Sequence, residues 1–71
     1  MFSVNDKVFD IRYGWGTVTE INKESKTPVK VVFAIGEPVQ YTKSGKDYVN
    51  DEIGLLRHFP YTLQGLKKVR M

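Results

Sequence analysis

The chain carries a single histidine, His58, three serines at Ser3, Ser25 and Ser44, and no cysteine. Thiol–histidine nucleophilic chemistry is therefore absent. No sharp nucleophile turn surrounds any of the serines, so His58 has no obvious hydroxyl to activate and reads as a structural residue at a strand end. Asp47, Asp51 and Glu52 lack the alternating oxygen ligands of a calcium loop, and His58 has no second histidine to share a zinc ion, so no metal and no cofactor is assigned. Paired carboxylates for glycoside chemistry need a cleft, which a chain of 71 residues hardly supplies. Gly14-Trp15-Gly16 lacks the further glycines and the lysine of a phosphate loop and reads as a tight turn. The expectation is a protein that is not an enzyme.

What remains is binding chemistry. Tyr13, Trp15, Tyr41 and Tyr48 fall in or beside predicted turns, where rings gathered at one mouth of a small barrel present flat apolar faces with polar edges. These four are the candidate protein-binding residues, with core packing as the competing account. Phe9 and Phe33 are assigned to the core. A second candidate surface lies at the C-terminal end. Residues 1–56 hold seven basic side chains against all eight acidic ones, whereas residues 57–71 hold Arg57, Lys67, Lys68 and Arg70 and no acid. The net charge of +3 is thus a property of that end. Beside His58-Phe59-Pro60-Tyr61, these four cations form the aromatic and basic mixture that stacks bases while pairing with phosphates, and they are the candidate nucleic-acid contacts. Four charges give weak, salt-sensitive binding at most, and a solvated tail that aids solubility is the alternative.

The elements that must position these residues are strands. Nine valines, four isoleucines and five threonines outnumber five leucines and alanines combined, so β-branched residues dominate and long helices are disfavoured. Turn signals recur at short intervals, as they do in small barrels. Strands are expected at Lys7 to Arg12, Thr17 to Asn22, Val29 to Ala34 and Val39 to Thr42, with Tyr13-Gly14-Trp15-Gly16 as the first connection. Val18 and Ile21 cannot share a face at period two, which predicts a bulge or strong coiling there. Val29, Val31 and Phe33 should share one face of the central strand, with Lys30 and Val32 on the other. Lys43-Ser44-Gly45-Lys46 reads as a turn, Asp47-Tyr48-Val49 as a short returning strand, residues 50–54 as a short helical turn, and Leu55 to Phe59 as the closing strand. Residues 61–71 form a basic tail, weakly docked or flexible. The fold class is all-β: one small barrel of about five short antiparallel strands over residues 1–60.

The strings Val4-Asn5-Asp6-Lys7-Val8-Phe9, Tyr13-Gly14-Trp15-Gly16-Thr17-Val18 and Val29-Lys30-Val31-Val32-Phe33 resemble the SH3-like or Tudor-like barrels of bacteria and their phages. The shared pattern is a V-G-D-x-V opening, a G-x-G-x-V entry to strand two and a V-x-F third strand. It is similar to the C-terminal barrel of UvrD/PcrA-type helicases, to the polymerase-contacting modules of transcription-repair coupling proteins, and to stand-alone phage and prophage proteins. In those last, a Y-T-x-x-G-K hairpin like Tyr41 to Lys46 follows. The resemblance covers roughly residues 2–59 and departs at Asn5, where glycine is usual and which asparagine can replace at a left-handed position. It implies a non-catalytic adaptor contacting a transcription, repair or defence complex, with weak nucleic-acid binding or a small structural subunit as alternatives. The start of the chain lacks a signal peptide and the longest apolar run is far too short to span a membrane, so a cytoplasmic monomer or weak homodimer without a membrane partner is expected.

Overall fold

Valine alternation sets the architecture, because each inward valine buries a branched side chain that a pleated strand accommodates well. The computed structural model describes residues 1–47 and 54–62. It contains four strands, β1 (Lys7–Asp10), β2 (Gly14–Ile21), β3 (Val29–Phe33) and β4 (Val39–Tyr41). They form one antiparallel sheet in sequence order, β1-β2-β3-β4. The chain is therefore all-β, with no helix among the described residues and none long and apolar enough to cross a membrane.

Two expected boundaries move by more than one residue, the end of β1 and the start of β2. β1 stops at Asp10 because its carboxylate and carbonyl turn back on the next residues: Arg12 N donates to Asp10 Oδ1 at 2.8 Å and Tyr13 N to the Asp10 carbonyl at 2.9 Å. That tight turn closes the hairpin before Gly14, so Gly14-Trp15-Gly16 is part of β2 and not the connection. Asp10 pairs with Gly14, Phe9 with Trp15 and Val8 with Gly16. Gly16 is required there, since a Cβ at that position would lie 2.6 Å from the Phe33 ring and 2.8 Å from Val31. The predicted bulge is present as a register shift between Val18 and Glu20, which curls the sheet. Asn5 takes φ 76°, the left-handed conformation anticipated for it.

The sheet's two ends are brought toward each other. Thr42 N donates to the Lys46 carbonyl, closing a turn that sets Asp47 opposite Tyr41. Leu56 N then donates to the Gly45 carbonyl, and Arg57 exchanges both backbone hydrogen bonds with Phe9 at 2.7 and 2.9 Å. The closing segment thus reaches the free edge of β1, although only Arg57 forms a bridge there. Inside lie Val8, Val18, Val29, Val31, Phe33, Tyr41 and Leu56. Phe9 is not among them. Its neighbours Val8 and Asp10 point inward, so period two turns Phe9 to the outer face, where it is half-buried. The helical turn placed at residues 50–54 falls, but for Gly54, outside the described residues, as does the tail beyond Thr62.

Candidate functional site

On the outer face of the β1–β2 hairpin, directly opposed Phe9 and Trp15 meet edge to face, with ring centroids 5.4 Å apart. Tyr61 packs edge-on against the other side of Phe9 at 5.5 Å, and the Arg57 guanidinium sits 5.1 Å from the centre of the Tyr61 ring. The result is a row, Trp15–Phe9–Tyr61–Arg57, running from the hairpin onto the closing segment. Each member is held for a local reason. Trp15 and Phe9 are fixed by strand register. Arg57 is aimed by its Nε donating to the Gly54 carbonyl at 3.1 Å. The Tyr61 hydroxyl accepts from Ile11 N at 3.2 Å and donates to the Leu55 carbonyl. Trp15 remains 48% exposed, so the row presents a fixed indole to solvent.

The four candidate ring residues do not assemble into one cage. Tyr13 leaves the turn in another direction: its ring rests 5.1 Å from that of Phe33, with the Arg12 guanidinium 4.9 Å above it. It caps the open end of the core and stays 45% exposed. Tyr41 corrects the expectation outright. Paired with Val29 on β3, its side chain points inward and is fully buried, so it offers no face to a ligand. Tyr48 lies outside the described residues. Of the four candidate cations, Arg57 joins the aromatic row, while Lys67, Lys68 and Arg70 lie outside the described residues.

The buried Tyr41 exposes a feature that composition did not reveal. Its hydroxyl donates to Asp10 Oδ2 at 2.6 Å, and Asp10 is itself fully buried. Arg12 closes on the same carboxylate through Nε at 3.1 Å and Nη2 at 2.8 Å, and its Nη1 reaches Asp47 Oδ2 at 2.7 Å. Burial pushes the Asp10 carboxyl up, but the hydrogen bonds from Arg12 and Tyr41 outweigh it and hold the group below the ordinary aspartate value. Hydrogen bonding to Asp10 holds the Arg12 guanidinium firmly protonated, and burial followed by that same carboxylate pushes the Tyr41 phenol far above its usual range. An acid that stays ionised and a phenol that stays protonated have no proton to exchange near neutral pH, so this cluster acts as a structural tie. The only sequence signal for it was an aspartate at an inward position of β1.

His58 is also occupied. Its ring stacks on Phe2 at 4.7 Å, and Nε2 is hydrogen-bonded to Asp6 Oδ2 at 2.9 Å, a contact that with Ser3 N holds the exposed Asp6 carboxyl below its usual range. Among the described residues no three histidines, aspartates or glutamates converge to hold a metal. Compared with protein-family models, curated proteins and solved structures, the chain shows no significant match to any.

Proposed function

We propose that the chain is a non-catalytic binding module that docks a protein partner on the outer face of the β1–β2 hairpin. The observation that carries this reading is the row Trp15–Phe9–Tyr61–Arg57, which joins aromatic rings and an arginine, the residue types enriched where binding energy concentrates; Trp15 and Phe9 are fixed on strands, and Trp15 is half-exposed. Val32, exposed on the same outward side of β3, pairs with Thr17 and extends the apolar face across the sheet. Rings already held in place lose little conformational freedom on binding. The resemblance to small bacterial and phage barrels supports an adaptor of phage or prophage type, working on a host or phage complex in the cytoplasm.

A capture experiment tests this. Wild-type protein immobilised and exposed to bacterial lysate should retain a partner that Trp15→Ala does not, with Trp15→Ala still folded by circular dichroism although its thermal midpoint falls through loss of the contact with Phe9. Identical retained proteins for the two would remove the row from the interface.

A second reading has its own support. Arg57 lies on the aromatic row, and Lys67, Lys68 and Arg70 follow Tyr61 in the sequence by six to nine residues. Rings beside cations suit single-stranded nucleic acid, which stacks bases on the one and sets phosphates on the other.

A further inference from the structure

A second surface lies away from the aromatic row. The segment Met1 to Val4 forms one wall of an open groove of about 820 Å³, and Ile21, Pro28 and Val29 at the far end of the β2–β3 hairpin form the other. Phe2 and Ile21 pack on the core cluster, so the floor is the core's own apolar edge and is held rigidly from below. Phe2 is pinned further by its stack on His58. Among the described residues the lining holds two charged side chains, Lys23 and Lys43, and no carboxylate. Neither lysine belongs to an ion pair among the described residues. An apolar floor lined also by two lysines that join no ion pair among the described residues is complementary to an apolar body ending in an anion. Lysine ammonium groups act as point charges without the planar fork that selects a bidentate phosphate, so a single carboxylate suffices as the head. The volume falls in the range of small-molecule sites, about 300–1,000 Å³.

We infer that this groove is a binding site for an amphipathic carboxylate, of the medium-chain fatty-acid type, whose chain lies on Phe2, Ile21 and Val29 and whose head meets Lys23 and Lys43. The site is independent of the aromatic row and of any partner docked there.

Dodecanoate, kept below its micelle concentration, is the probe, and amide chemical shifts of the full chain are the readout. The expected result is saturable shifts at Phe2, Ile21, Lys23, Val29 and Lys43, with none at Trp15. Dodecyltrimethylammonium, which has the same tail and the opposite head, should bind at least about tenfold more weakly. The double variant Lys23→Glu/Lys43→Glu, whose altered side chains extend from the groove rim, should keep the wild-type spectrum elsewhere and lose about tenfold or more in dodecanoate affinity. Trp15→Ala should bind dodecanoate as wild type does, whatever it does to protein capture. Equal affinity for the two head groups, affinity unchanged by the double reversal, or shifts centred on Trp15 and Tyr61 would each overturn the assignment.

Discussion

Asp10 is the one fully buried charged side chain among the described residues, and every part of its setting compensates for the water it has lost. Arg12 supplies opposite charge, while Tyr41 and the Arg12 amide supply donors. Removing one of them leaves the carboxylate short of a partner. Tyr41→Phe deletes only the hydroxyl and keeps the ring in the core, so it should cost about 1–3 kcal/mol in urea unfolding at neutral pH. The pH dependence follows from the direction of the shift. Because the folded-state carboxyl lies below the ordinary value of 3.8, Asp10 contributes stability that is complete above that value and is lost as pH falls through the folded one. Tyr41→Phe removes a bond to the ionised form and raises the folded value. Wild type and variant should therefore converge in stability on titration from about pH 7 to about pH 2, and a difference that stays constant across that range would exclude Asp10 as the source. None of this was legible from residue types. A tyrosine beside a predicted turn looks like a surface ring, and only the register of β4 on β3 reveals that it points inward at an aspartate three strands away in the sheet.

At the scale of elements, period two carried most of the fold. The alternation in Val29–Phe33 placed three side chains inward, and the mismatch between Val18 and Ile21 located the register shift. The same rule, applied to β1 with Val8 inward, puts Phe9 outside. Hydrophobicity alone put it in the core, because nothing in the sequence announces that Tyr61 and Trp15 will cover it. Gly14-Trp15-Gly16 lies in a strand and not in a turn for a similar reason: two glycines in three residues signal a turn unless a neighbouring strand needs the space that one of them leaves. Phe33 needs it. Gly16→Ala should clash with the Phe33 ring and Val31 and destabilise the fold by about 1–3 kcal/mol. Shrinking the obstacle in Gly16→Ala/Phe33→Leu should recover part of that loss. A double-mutant cycle by thermal or urea unfolding measures the coupling, and strictly additive effects would place the cost of the alanine elsewhere.

For the whole molecule, the distribution of charge matters more than its sum. Within residues 1–56 the two signs nearly cancel, and among the described residues Arg12 and the buried Asp10 are already paired, so that part exerts little long-range pull on a polyanion. The closing segment brings Arg57 onto the aromatic row by its two backbone bonds to Phe9. On the nucleic-acid reading the phosphate contacts are Arg57 together with Lys67, Lys68 and Arg70. A protein that neutralises a few phosphates loses affinity steeply with salt, with a slope on single strands of about −0.7 per phosphate contact. Four contacts at most predict a slope no steeper than about −3, measured as retention on single-stranded DNA across rising salt. Lys67→Glu/Lys68→Glu/Arg70→Glu should abolish that retention, whereas Trp15→Ala should weaken it without altering the slope, because a stacked ring releases no counterions. If the triple reversal retains DNA as wild type does, or if retention is indifferent to salt, the aromatic face is left to a protein partner.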